Sequence, residues 1–205
     1  FSFDYDLPND VSYTETCASV GLVFWARNMV ELNVDRKYTD VMEKALYNGT
    51  ISGMDLDGKK FFYVNPLEVY PKATEKRKDH EYVKPVRQKW YTCACCPPNL
   101  ARMISSIGRY IYSEKERKLF VHLFIGSETE REISGKKVMI RQHTNYPWDG
   151  KIQLNIETEE SVEFTIAVRI PGWCKNATLR INGEEVDLQS CIRKGYAYLS
   201  RKWHH

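Results

Sequence analysis

The sequence predicts a fold in two parts, a helical part followed by an antiparallel β-sandwich. Before Ser113, apolar residues recur every three or four positions, as on the buried face of a helix. After Ser113, short alternating runs are separated by turn residues, a pattern typical of an antiparallel sandwich. We place the boundary near residue 115, which gives a helical domain at 1–114 and a sandwich domain at 115–205.

Three helices are predicted in the first part. The first covers residues 14–33. Thr39 can cap the second helix, which ends near Gly49, since a threonine oxygen accepts an unpaired N–H group at a helix start. Pro97 and Pro98 precede the third, which runs through residue 111. Proline suits a first helical turn because its missing N–H would be unsatisfied there anyway.

Turn-forming residues predict a hairpin in the first part of the chain and the limits of the strands in the second. Asp57 and Gly58 lie between two apolar runs at 54–56 and 61–64, which predicts a β-hairpin inserted into the helical part. In the second part, turn dipeptides separate the predicted strands, which are 119–124, 137–141, 152–156 and 164–170.

Charge and hydropathy exclude two classes of partner. The 30 basic and 27 acidic residues are intermixed and leave a net charge of only +3, so nucleic acid is not an expected partner. No apolar run approaches the roughly 20 residues that a membrane-spanning helix needs. We therefore expect no membrane association.

The six cysteines indicate chemistry rather than a disulfide framework. Cys93, Cys95 and Cys96 lie within four residues, where local bridging is strained or impossible. Thiols that must stay reduced favour the cytoplasm, which is the expected location.

Two of the predicted helix starts carry metal-ligand types. Glu15 and Cys17 open the first helix, and Cys95 and Cys96 precede the third. These four residues would complete a tetrahedral zinc shell, although their spacing is not that of a zinc finger. Two alternatives stay open on the residues alone: buried apolar cysteines, and a redox pair of a thiol oxidoreductase, for which Cys93 and Cys96 have the only plausible spacing.

Several longer stretches resemble the signature motifs of glycoside hydrolase family 127. They lie at 5–10, 15–19, 45–48, 61–67, 93–99 and 169–173, in order across nearly the whole chain. The resemblance implies that the helical part is the last portion of an (α/α)6 barrel and that the sandwich domain is incomplete. It also implies a bacterial enzyme that releases terminal β-L-arabinofuranosyl residues with retention of configuration.

The resemblance also implies residue roles. Cys95 is the nucleophile, and Glu15, Cys17 and Cys96 share a zinc ion with it. Glu43 and Tyr63 match positions that contact the sugar. Without the resemblance, Glu43 would be interpreted as a solvated helix residue paired with a lysine, and Tyr63 as a packed aromatic residue.

The acid/base glutamate of the family falls upstream of Phe1 in this resemblance. The chain is therefore expected to be a fragment without activity of its own, and to form a homo-oligomer or be held by further polypeptide. A rival hypothesis is a non-catalytic carbohydrate-binding module in which the same four ligands hold zinc structurally.

Overall fold

Helices dominate the first half of the chain, as the sequence predicts. The computed structural model describes residues 3–6 and 8–204, so Leu7 of the motif at 5–10 lies outside the described residues. Among the described residues, none of the helices has both the length and the apolar character needed to cross a membrane. The helices are α1 (Thr16–Leu32), α2 (Arg36–Lys44), α3 (Pro71–Lys76), α4 (Cys96–Ser105), α5 (Gly108–Ile111) and α6 (Leu188–Cys191).

The second helix starts earlier than predicted, and Thr39 is not its cap. The Asp35 carboxylate accepts the N–H of Lys37 at 3.0 Å, which makes Asp35 the capping residue. Thr39 lies inside α2, where its hydroxyl donates to the carbonyl oxygen of Arg36 at 3.0 Å. The helix then continues as a π-helix, Ala45–Thr50, so the predicted end near Gly49 is correct to within a residue.

The predicted hairpin is present as a turn but not as a two-stranded ladder. Gly58 has a φ of 66°, and the Asp55 carboxylate accepts the backbone N–H groups of residues 59 and 60. Beside this turn, Met54 and Phe61 form a single isolated bridge, and Phe61 forms a second one with Gln88. A regular hairpin does not form because the apolar run after the turn pairs with other segments of the chain.

Strands fill the second half. They are β1 (Tyr112–Lys115), β2 (Lys118–Val121), β3 (Ser127–Ile133), β4 (Lys136–Thr144), β5 (Ile152–Thr158), β6 (Val162–Arg169), β7 (Leu179–Ile181), β8 (Glu184–Val186), β9 (Ile192–Arg193) and β10 (Tyr196–Trp203). They form a five-stranded sheet in the order β1-β2-β6-β10-β9, a three-stranded sheet β3-β4-β5 and the hairpin β7-β8. The four predicted strands correspond to β2, β4, β5 and β6.

One strand pair departs from the predicted antiparallel pattern. β2 and β6 are parallel, with Leu119 opposite Ile166. A parallel pair needs a long crossover connection, and here the whole three-stranded sheet lies between the two strands in sequence. The two sheets share one hydrophobic cluster, to which β4 contributes Val138 and Ile140 and β6 contributes Phe164 and Ile166.

Contacts divide the chain into two units. Unit 1 contains the residues up to Asn28 together with Val41–Ser106, and unit 2 contains Met29–Asp40 together with the residues from Ile107 onward. The start of α2 therefore belongs to unit 2, where it packs with the strands.

A buried ion pair holds the start of α2 within unit 2. Arg169, at the end of β6, is fully buried and donates to Asp40 at 2.7 Å and to the carbonyl oxygen of His122 at 2.7 Å. The second carboxylate oxygen of Asp40 accepts the N–H of Gly172 at 3.0 Å. A Cβ at position 172 would lie 2.6 Å from that oxygen, so the approach requires glycine.

Replacing Asp40 by alanine should destabilise unit 2 by about 3 kcal/mol, because it removes the carboxylate that faces the fully buried Arg169 guanidinium. Urea unfolding measures the change. Glu130→Gln is the control, since its ion pair with Lys137 has both side chains more than half exposed and should matter little. Equal unfolding midpoints for the two variants would show that Arg169 draws no stability from Asp40.

Candidate active site

Four side chains from distant parts of the sequence meet in unit 1. One ligand atom from each of Glu15, Cys17, Cys95 and Cys96 lies within 4.8 Å of all the others. The two helix starts that the sequence singles out therefore come together, and the structure places all four predicted metal ligands in one cluster.

Backbone pairing brings the start of α1 to this cluster. Glu15 bridges to Val64, and the next residue, Thr16, donates its N–H to the carbonyl oxygen of Tyr63 at 3.0 Å. The Thr16 hydroxyl also donates to the carbonyl oxygen of Phe62 at 2.9 Å. Glu15 and Cys17 flank the anchored Thr16, so their side chains are held at the segment that carries Tyr63.

The start of α4 supplies the other two ligands. Cys96 is the first residue of α4, with prolines in the first turn, and Cys95 precedes it. Cys96 is fully buried, whereas Cys95 is only partly buried. Both pack with an aromatic group that contains Phe61, Tyr63 and Tyr91. Adjacent cysteines thus occupy different environments.

Three distances between the donor atoms fit a zinc ion. Tetrahedral zinc, bound at about 2.3 Å by sulfur and about 2.0 Å by oxygen, holds two sulfurs about 3.8 Å apart and a sulfur and an oxygen about 3.5 Å apart. The Sγ atoms of Cys17 and Cys96 are 3.7 Å apart, and those of Cys95 and Cys96 are 3.8 Å apart. The Cys95 Sγ lies 3.5 Å from Glu15 Oε1.

Without a cation, this environment disfavours thiolates. Burial raises the pKa of the Cys95 thiol to about 11. Burial and the neighbouring Cys17 raise the pKa of the Cys96 thiol further above its usual range. A bound divalent cation reverses this effect, because a coordinated thiol loses its proton.

Tyr63 contacts the cluster directly. Its hydroxyl lies 3.6 Å from the Cys95 Sγ, and its side chain is only 7% exposed. The ring stacks on that of Tyr82 at 4.6 Å between centroids. The hydrogen bond with Cys95, followed by burial, raises the pKa of Tyr63 far above its ordinary value. The interpretation of Tyr63 as a packed aromatic residue is therefore correct but incomplete.

Glu43 and Cys93 lie outside the four-residue cluster. Glu43, in α2, is only 5% exposed, so its interpretation as a solvated helix residue is wrong. Charged side chains are seldom buried without interacting groups, and Glu43 takes part in such an interaction. Cys93 is exposed and Cys96 is fully buried, and all six cysteines are free.

Two neighbours of the cluster were missed by the sequence analysis. Asn99 donates its side-chain N–H to the Cys17 Sγ at 3.1 Å, and Tyr82 supports the ring of Tyr63. Asn99 could have been found, since it follows Cys96 by three residues and so lies on the same face of α4. Tyr82 sits in a charged loop without periodicity, and no local signal identifies it.

Comparisons with known proteins match both parts of the chain. A family model for the β-L-arabinofuranosidase GH127 catalytic domain matches residues 1–109, and a model for the GH127 middle domain matches residues 118–205. A non-reducing end β-L-arabinofuranosidase of Bifidobacterium longum subsp. longum is 41% identical over 97% of this chain and 30% of its own length.

Solved structures are similar along the whole chain. A GH127 β-L-arabinofuranosidase from Geobacillus stearothermophilus T6 is 64% identical, with a TM-score of 0.94 over 100% of this chain and 32% of its own. A second GH127 β-arabinofuranosidase is 36% identical, with a TM-score of 0.85 and the same coverage of both chains. The chain thus spans about a third of the length of these relatives. Because the catalytic-domain model alone matches more than half of the chain, the chain belongs to glycoside hydrolase family 127.

Proposed function

We propose that the chain is part of a retaining glycoside hydrolase that releases terminal β-L-arabinofuranosyl residues with Cys95 as its nucleophile. The observation that carries this proposal is the meeting of Glu15, Cys17, Cys95 and Cys96 within 4.8 Å. Membership of family 127 and the arabinofuranosidase names of the relatives supply the reaction and the sugar.

The architecture proposed with this function has two domains. Residues 1–114 would form the last helices of an (α/α)6 barrel, and residues 115–205 would form a β-sandwich domain that is antiparallel apart from the β2–β6 pair. Support comes from the order of elements, helices first and strands afterwards, and from the hydrophobic cluster that the two sheets share.

Partial exposure supports Cys95 as the nucleophile. Cys96 is fully buried. Cys17 is partly buried like Cys95, but its sulfur accepts a hydrogen bond from Asn99. The Tyr63 hydroxyl lies 3.6 Å from the Cys95 sulfur and can orient it. Of the three sulfurs in the cluster, we therefore propose that of Cys95 as the one that reaches the sugar.

In the proposed reaction, the Cys95 sulfur attacks the anomeric carbon and forms a C–S bond. The bond to the leaving oxygen breaks, and that oxygen takes a proton from an acid. Water then displaces the sulfur, so two inversions retain the configuration. Glu15, Cys17, Cys95 and Cys96 would hold zinc, which when bound keeps the thiols deprotonated.

Glu43 and Tyr63 are proposed to contact the sugar. A buried carboxylate such as Glu43 can accept hydrogen bonds from sugar hydroxyl groups, and the Tyr63 hydroxyl already lies beside the proposed nucleophile.

The six free cysteines support a reducing compartment, so we propose the cytoplasm as the location.

About one zinc ion per chain should be found at this cluster. Three of the donor-atom distances match tetrahedral zinc, and all four donor atoms come from two helix starts. Elemental analysis of protein purified without chelators measures the content. Less than about a tenth of an equivalent, with all six thiols freely titratable, would remove zinc from the proposal.

Cys95→Ser should lower turnover of an aryl β-L-arabinofuranoside by on the order of 10⁴-fold or more, because a serine hydroxyl is not ionised at neutral pH. The assay uses a polypeptide extended to the length of the relatives. Cys93→Ser makes the same change at an exposed cysteine outside the cluster and should leave turnover nearly unchanged. Similar losses in two folded variants would mean that the wrong sulfur has been assigned.

Alkylation separates the enzyme from a zinc-stabilised carbohydrate-binding module. A nucleophilic Cys95 must be reachable by a sugar-sized electrophile, whereas a structural ligand stays protected. Mass spectrometry after treatment with a haloacetyl arabinofuranoside analogue locates the label. Labelling at Cys95 supports the enzyme, and a labelled Cys93 with an intact Cys95 would favour the module.

A further inference from the structure

The contact between Asn99 and Cys17 joins the two helix starts that build the cluster. The Asn99 Nδ2 lies 3.1 Å from the Cys17 Sγ. Residues three apart share a helix face, so Cys96 and Asn99 present a sulfur and an amide side by side on α4. The Cys17 sulfur also lies 3.7 Å from the Cys96 sulfur, so it contacts both the sulfur and the amide of α4.

The chemistry of this contact suits a thiolate. An amide NH₂ group can only donate, so the sulfur must accept. A negatively charged acceptor forms a stronger hydrogen bond than a neutral one. Among the described residues, the side-chain hydrogen bonds of Cys95 and Cys96 are with oxygen or sulfur atoms. The Asn99 amide, a nitrogen donor, contacts the sulfur of Cys17 instead.

We propose that Asn99 is a positioning residue that keeps Cys17 as a permanent ligand of the metal. This inference rests on the zinc centre proposed above. A hydrogen bond to a thiolate withdraws charge from the sulfur and lowers its reactivity toward carbon. The bond also restrains the sulfur's position. Asn99 thereby makes Cys17 a holding ligand through its contact at 3.1 Å. The contact of the Cys95 sulfur with the Tyr63 hydroxyl is longer, at 3.6 Å, and the sulfur of Cys95 remains the one that reacts.

Asn99→Leu tests the role because leucine has nearly the same shape and no donor. Metal affinity should fall about 10–100-fold, the usual effect of losing a residue that supports a metal ligand. Competition with a chromophoric chelator measures the affinity for zinc alone. Asn28→Leu is the matched control, because it makes the same substitution at an exposed position of α1.

A spectroscopic measurement separates this role from simple packing. With cobalt in place of zinc, the sulfur-to-cobalt charge-transfer band of Asn99→Leu should move to lower energy, because the sulfur lone pairs lose the stabilising hydrogen bond. The band should not move in Asn28→Leu. Asn99→Ala removes the donor without adding an apolar branch, so it should show the same loss of metal affinity and the same band shift as Asn99→Leu. It replaces Asn99→Leu in both measurements if that variant fails to fold.

The outcomes distinguish the inference from the proposal on which it rests. If the unaltered protein binds zinc and the Asn99 variants match Asn28→Leu in both affinity and band position, the role of Asn99 is overturned while the zinc centre stands. If the unaltered protein binds neither zinc nor cobalt, the zinc centre itself fails, and the role of Asn99 fails with it.

Discussion

The anchoring of Thr16 to the segment at 62–64 is the contact on which the cluster depends. Thr16 is fully buried, and its backbone and hydroxyl both donate to carbonyl oxygens of that segment. The Asn65 amide in turn donates to the Thr16 hydroxyl at 3.1 Å. A buried polar group needs such partners, and here its partners also set the positions of Glu15 and Cys17. The same segment carries Tyr63, so one set of backbone contacts brings three side chains of the proposed site to one place.

The arrangement of these groups is one that could hold a cation. Three thiols and a carboxylate lie close together beside a buried aromatic group, and burial raises the pKa of both Cys95 and Cys96. Such a set is stable either as neutral thiols or as thiolates around a positive ion. The three donor-atom distances close to those of a tetrahedral shell are compatible with the second state. The Asn99 amide, a donor directed at Cys17, favours it as well.

Periodicity predicted the elements better than it predicted their partners. The first helix and the strands β2, β4, β5 and β6 were predicted because each places apolar residues on one face, which is a local property. The hairpin prediction failed because the apolar run at 61–64 pairs with Glu15 and Gln88, which are distant in sequence. The parallel pairing of β2 and β6 also depends on residues distant in sequence. It was missed because the pattern of a single strand does not indicate the direction of its partner.

The site shows the same division between local and distant information. Motifs at two helix starts predicted which four side chains would lie together, and the pairing of Glu15 with Val64, which is distant in sequence, helps to bring them there. The burial of Glu43 could not be predicted, because α2 is polar overall. Buried carboxylates usually have interacting groups, and Glu43 takes part in an interaction of this kind. Its proposed contact with the sugar therefore rests on membership of family 127 rather than on its burial.

The adjacent cysteines at the start of α4 show how position along a helix can separate two chemically identical groups. Cys96 is the first helical residue and faces the core, whereas Cys95 precedes the helix and remains partly exposed. A ligand that only holds a metal gains from burial, because water cannot compete for the site. A nucleophile must instead be reachable by its substrate. Two consecutive cysteines can therefore differ in role without any difference in side chain. Asn99, one turn further along α4, donates to the sulfur of Cys17, and in the proposed centre it makes that sulfur a holding ligand as well.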